Sequence, residues 1–101
     1  MKESEIQKII MDWLSYQKDI YFFRSGSGLI KTERGNWFRS GKVGCPDITI
    51  CKNGKAIYLE VKNEKGKLSD EQKISKQQIE KAGGIYQVVR CISDVELILN
   101  K

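Results

Sequence analysis

Asp47, Glu60 and Lys62 are the residues whose types and spacing suit chemistry. Asp47 follows Pro46 and opens the run Asp47-Ile48-Thr49-Ile50-Cys51, while Glu60 and Lys62 close a second alternating run at residues 56–62, with Asn53-Gly54 between them. Asn-Gly between two such runs is the strongest short-range hairpin signal. A two-residue turn there sets Lys52 opposite Lys55, Ile50 opposite Ile57, Ile48 opposite Leu59 and Asp47 opposite Glu60. Side chains alternate along a strand, so Ile48, Ile50, Ile57, Leu59 and Val61 share one face, and Asp47, Glu60 and Lys62 share the other. Opposed Cβ atoms stand ~4.5–5.5 Å apart. Two carboxylates at that spacing repel each other unless a cation lies between them. Oxygen ligands alone suit Mg²⁺ or Mn²⁺ rather than Zn²⁺. Lys62, about 6–7 Å beyond Glu60 on the same face, reaches a water or phosphate at such an ion. A solvated charge cluster is the plain structural alternative. The joint placement of Pro-Asp and Glu-Val-Lys at matching register argues against it.

Composition narrows the chemistry further. The chain of 101 residues has no His, 18 Lys and Arg against 13 Asp and Glu, and a net charge of +5. Without His there is no Ser-His-Asp triad, no imidazole base and no His-containing zinc site. The positive balance favours an acidic partner, of which phosphate polymers are the commonest. The three cysteines, Cys45, Cys51 and Cys91, form no Cys-x-x-Cys pair. They are expected to be small buried hydrophobes in a reducing cytoplasm. Runs such as Leu97-Ile98-Leu99 are too short for a signal sequence or a membrane span. The length fits one domain, residues 1–101, whose modest core leaves room for a partner subunit.

The elements that must position these residues follow from periodicity. Ile6, Ile9, Ile10, Trp13 and Leu14 form a helical stripe, which predicts a helix over residues 4–18 with Trp13 in the core. Ser4 with Gln7 has the capping-box pattern and leaves Glu5 in the first turn. Residues 20–24 are aromatic and β-prone. From residue 25 to 45 the pattern dissolves among glycines, and the segment reads as a long functional loop. It holds Arg24 at its edge, then Lys31, Arg34, Arg39 and Lys42 against the single acid Glu33, a surplus of four of the chain's +5. Ser69 and Gln72 form a second capping-box pattern, opening a polar helix that stops at Gly83-Gly84. Residues 85–91 read as a strand, and Ser93 with Glu96 caps a last short helix. The order is αβββαβα, an α/β arrangement.

Gly44-Cys45-Pro46-Asp47, followed after twelve residues by Glu60-Val61-Lys62, resembles the PD-(D/E)xK nuclease signature. Gly66-Lys67-Leu68-Ser69-Asp70-Glu71-Gln72 and Ala82-Gly83-Gly84 resemble its VRR-NUC (virus-type replication-repair nuclease) branch, including the small stand-alone phage members. The resemblance implies a restriction-endonuclease-like fold, a central mixed β-sheet flanked by helices. It implies Mg²⁺, with Mn²⁺ able to substitute, held by Asp47, Glu60 and the Val61 backbone carbonyl. Lys62 takes the place of the catalytic lysine and Gln72 that of the family's glutamine. Gln72 is equally placed to close the Ser69 capping box. The family's first-helix acid maps onto Glu5, acting through water, with Glu3 the alternative. The implied activity is a structure-selective DNA endonuclease on branched or Holliday-junction DNA, leaving 5′-phosphate and 3′-hydroxyl ends. The phage members imply a homodimer, at work in the cytoplasm of a bacterial or phage-infected cell.

The basic loop is then the DNA-contacting element, with Arg24, Lys31, Arg34, Arg39 and Lys42 on phosphates and Trp37 or Phe38 stacking or wedging. A buried loop anchor or a dimer contact is the alternative for the two aromatics. Gly26-Ser27-Gly28 lacks the Gly-Lys-Ser/Thr of a phosphate loop, so no nucleotide cofactor is expected. Two competing readings are a non-catalytic nucleic-acid-binding module and a restriction-type nuclease on the same core. The first has no use for adjacent carboxylates that repel phosphate; the second lacks an added recognition domain.

Overall fold

A computed structural model describes every residue except Ser27, with the side chains of residues 28–31 and 38–40 also outside the description. The first helix, α1, spans Glu3–Leu14 and buries Ile6, Ile10 and Leu14 along one stripe. It begins two residues earlier than the Ser4 cap would have it, with Lys2 at the cap position. Ser4 lies within the helix, and the capping contact is made by Glu5, whose side chain accepts from the Lys2 backbone N–H at 3.4 Å. The helix also stops at Leu14, short of residue 18; Ser15 Oγ donates to the Asp12 carbonyl at 2.6 Å, and Asp19 turns the chain at φ +60°.

Strand β1 is Tyr21–Arg24. The segment read as a loop contains a hairpin, β2 (Gly28–Lys31) against β3 (Trp37–Ser40), forming a two-stranded sheet of its own. Its tip closes through Thr32, whose N–H donates to the Asn36 carbonyl at 2.7 Å and whose hydroxyl accepts from Asn36 N–H at 3.1 Å. Each strand is four residues long and holds two adjacent apolar residues, Leu29-Ile30 and Trp37-Phe38, so no apolar alternation announces the hairpin in sequence.

Strands β4 (Ile48–Lys52) and β5 (Lys55–Val61) pair antiparallel in the expected register, Ile48 with Leu59, Ile50 with Ile57 and Lys52 with Lys55. Asn53 and Gly54 both have positive φ, 51° and 76°, as a type I′ turn requires. Helix α2, Asp70–Lys81, is capped by Ser69, whose Oγ accepts from Gln72 N–H at 3.2 Å. Strand β6, Ile85–Val89, runs parallel to β5, and α3 spans Ile92–Leu99. Ser93 does not cap α3: the cap residue is Cys91, and Asp94 accepts from Arg90 N–H at 2.8 Å.

The main sheet is mixed, in the order β1-β4-β5-β6. On one face Ile48, Ile50, Ile57, Leu59, Val61 and Val89 form the core with Ile6, Ile10 and Leu14 of α1 and Val95 and Leu99 of α3; Trp13 packs against it, partly buried. Truncating one of these residues, for example Leu14 to Ala, removes about 2–5 kcal/mol. The other face carries Tyr58, Glu60 and Tyr86 and is covered by α2. Among the described residues no helix is long and apolar enough to cross a membrane. The cysteines are not the buried hydrophobes expected: Cys51 and Cys91 are exposed and Cys45 is half-buried, all three with free thiols. Cys51 falls on the sheet face opposite the aliphatic core and Cys91 at the cap of α3, so neither enters that core.

Candidate active site

Asp47 stands immediately before β4, where β1 ends. Its carbonyl accepts from the N–H groups of Ser25 and Gly26 at 2.8 and 3.2 Å, and its Oδ2 accepts from Val61 N–H at 2.7 Å. One carboxylate oxygen is thus fixed on the central strand, half-buried, beside the end of β5. Glu60 lies one residue back along β5 on the α2 face and is only 2% exposed. Its Oε2 accepts from Gln72 Nε2 at 3.1 Å and faces Lys62 Nζ at 3.8 Å. Its Oε1 is buried with no hydrogen-bond partner among the described residues. Lys62 is itself 8% exposed, and its N–H donates to the Val89 carbonyl at 3.0 Å.

Gln72 makes contacts in two directions. Its backbone and Oε1 complete the reciprocal cap with Ser69, the latter accepting from Ser69 N–H at 2.9 Å, while Nε2 turns to Glu60. Burial first, then the neighbouring Asp47 carboxyl, push the Glu60 carboxyl up to about 8; Lys62 opposes the rise and Glu3 adds to it. Burial and a second carboxyl alongside both disfavour the ionised form.

Of the two acids in the first helical turn, the structure brings Glu3 and not Glu5 toward this site. Glu3 is half-buried, accepts from Asn63 N–H at 3.4 Å and leans over Gly66, where an added Cβ would stand 2.7 Å from its Oε2. Glu5 is exposed and turned back on Lys2. Because α1 starts at Glu3, Glu5 occupies the third helical position, the one from which a side chain reaches the cap.

Of the basic residues, Arg24 is exposed at the end of β1, in register with Ile48 and so at the rim beside Asp47. Arg34 is exposed at the hairpin tip, and Trp37 is 62% exposed at the start of β3 rather than a buried anchor. Lys42 is exposed, with Nζ 3.5 Å from Gln78 Oε1 of α2. The side chains of Lys31, Phe38 and Arg39 lie outside the described residues.

Ser25 is a functional-site residue that no sequence motif marks. Its N–H meets Asp47, its Oγ donates to the Pro46 carbonyl at 2.8 Å and accepts from Thr49 Oγ1 at 2.8 Å, and its carbonyl accepts from Cys45 Sγ at 2.9 Å. It ties both ends of the hairpin segment to Asp47. Its partners lie 20 to 24 residues away, beyond the range of any local pattern.

Oxygen donors, a buried unpartnered carboxylate oxygen and a mutually repelling acid pair fit a hard divalent cation. Among the described residues no group of three or more acidic, Cys or His side chains converges, so the side-chain donors to such an ion would be the Asp47 and Glu60 carboxylates, with backbone oxygen and solvent completing the shell. A groove of about 560 Å³ between Gly54, Tyr58, Ile79 and Gly84 lies apart from these acids and carries no carboxylate.

An acid pair and a lysine at the end of adjoining strands, in a mixed sheet with helices on both faces, define a nuclease-type α/β domain. The VRR-NUC domain model matches residues 1–92, and the chain belongs to the VRR-NUC family. A solved structure described as a VRR_NUC domain shares its fold, with a TM-score of 0.68 over 97% of this chain and 94% of that chain at 20% sequence identity. Comparison with curated proteins finds no match.

Proposed function

We propose that residues 1–101 form one metal-dependent DNA endonuclease domain that uses Mg²⁺, or Mn²⁺ in its place, and acts on branched or junction DNA as a homodimer. The observation that carries the reading is Glu60: a carboxylate 2% exposed, beside Asp47, with one oxygen held by Gln72 and the other unpartnered. A buried acid pair without a cation is destabilising, so its presence calls for a ligand role.

Asp47 and Glu60 would each give one anionic oxygen. The Val61 carbonyl is a third donor: in a strand the N–H and C=O of one residue face the same edge, and Val61 N–H points at Asp47. A bound divalent ion supplies a water of lowered pKa and positive charge at the scissile phosphate. Gln72 keeps Glu60 Oε2 occupied and so leaves Oε1 as the ligand atom. Lys62, anchored beside Glu60, orients the attacking water or meets the charge that develops on the phosphoryl oxygens. Glu3 joins the site through water, in the place first given to Glu5. Arg24, Lys31, Arg34, Arg39 and Lys42 hold phosphates, and exposed Trp37 stacks on a base or sugar. The free thiols of Cys51 and Cys91 suit a reducing cytoplasm.

The decisive experiment incubates the protein with end-labelled linear, flap, splayed and four-way-junction DNAs in Mg²⁺, Mn²⁺ or EDTA. Cutting in either metal, lost in EDTA and strongest on a branched DNA, is the expected result. Binding with no cutting under any condition would leave a non-catalytic DNA-binding module.

A further inference from the structure

We propose that Tyr86 is a positioning residue for Glu60, its buried phenolic hydroxyl, unpartnered in the metal-free protein, donating to Oε1 once that oxygen ligates a divalent cation. The inference rests on the metal-binding reading above.

Tyr86 lies on β6 and is 3% exposed. In the β5–β6 register it faces Tyr58, and Glu60 faces Val88. Tyr86 and Glu60 are therefore diagonal neighbours on one face of the sheet, a separation that an aromatic side chain spans. Among the described residues the buried side-chain polar atoms without a hydrogen-bond partner are two, Glu60 Oε1 and the Tyr86 hydroxyl. Both belong to this corner of the fold. Gln72 and Lys62 address Oε2, so no described side chain fixes Oε1.

Packing alone does not explain the hydroxyl. Phenylalanine would fill the same space beside Val88 without an unmet donor, and an unmet buried donor is destabilising. A hydroxyl retained there serves the acids next to it. A phenol keeps its proton at neutral pH and so is a donor. An ionised carboxylate oxygen has two lone-pair directions, which lets Oε1 accept from Tyr86 along one and face a cation along the other. Ligating carboxylates are commonly held by such an outer hydrogen bond, and losing it weakens metal binding about 10–100-fold.

Tyr86→Phe tests this, read by calorimetric titration of the whole chain with Mn²⁺ and by thermal melting without metal. The Mn²⁺ dissociation constant should rise about tenfold, while the metal-free melting temperature stays the same or rises, because the ring is kept and an unmet hydroxyl is gone. A merely structural tyrosine gives the opposite pair of results, a lower melting temperature with unchanged affinity, and that overturns the proposal. If the Phe variant does not melt cooperatively, Tyr86→Met, with an adaptable apolar chain, must show the same weakened affinity. Glu60→Gln separates this inference from its premise. Unchanged affinity in Tyr86→Phe beside lost affinity in Glu60→Gln removes the role of Tyr86 and leaves the metal centre. Affinity unmoved by Glu60→Gln removes both.

Discussion

Gln72 Nε2 lies 3.1 Å from Glu60 Oε2 while Gln72 Oε1 accepts from Ser69 N–H at 2.9 Å, so one side chain joins the cap of α2 to the acid of β5. Two variants separate the roles. Ser69→Ala loses the cap alone and should lower stability by ~1 kcal/mol with Mn²⁺ affinity unmoved. Gln72→Ala loses both and should lower stability and Mn²⁺ affinity together. Denaturant melts paired with calorimetry check this; equal affinity in the two variants would reduce Gln72 to a capping residue.

Glu60 sets a pH dependence. In the folded chain it keeps its proton from an ordinary 4.5 up to about 8, where the unfolded chain has already lost it. Its contribution to the stability of the metal-free protein is therefore complete below pH 4.5 and declines as the pH rises to about 8. Glu60→Gln should flatten that decline. Binding a divalent cation needs the ionised form, so at pH 7 it should expel about one proton, and affinity should climb with pH and level off above about 8. Titrations in buffers of different ionisation enthalpy count the proton.

Lys62 is buried beside Glu60 rather than offered to solvent, and the proposed function assigns its action to the reacting phosphate. Lys62→Ala should bind Mn²⁺ and DNA nearly as well as the parent chain and cut at least about 100-fold more slowly, the scale of losing one preorganised electrostatic group. Single-turnover rates at saturating enzyme give the answer, and an undiminished rate would end the assignment.

The exposed bases Arg24, Arg34 and Lys42 predict a division of labour. Replacing all three by Ala should lower the slope of log affinity against log salt by up to about 0.9 for each phosphate no longer neutralised, with Mn²⁺ affinity almost unmoved. Competition between a four-way junction and linear duplex of equal length, repeated across salt concentrations, tests structure selectivity. Equal competition would leave a nonspecific basic surface.

The site was legible where a turn fixes register. Asn53-Gly54 set the Ile48–Leu59 pairing, and with it the separation of the aliphatic face from the acid face. The β5–β6 register was not legible, because a parallel pair joined by a helix has no turn to specify it, and Tyr86 therefore carried no signal. The β2–β3 hairpin was hidden for a different reason: its strands are too short to alternate, and its cue was a Gly-containing turn, Glu33-Arg34-Gly35, between two apolar pairs. Glu3 rather than Glu5 leans toward the acids because α1 is capped at Lys2, two residues before Ser4, a shift that no propensity resolves.

The hydrogen bonds of Ser25 and Gly26 to the Asp47 carbonyl, with Cys45 Sγ closing on Ser25, give the basic arm a root and a tip of different tolerance. Residues added between Thr32 and Asn36 lengthen the reach of the arm and leave Asp47 where it is. A single residue added next to Ser25 or Cys45 drags the acid off the end of β5. Insertions should therefore be tolerated at the tip and not at the root.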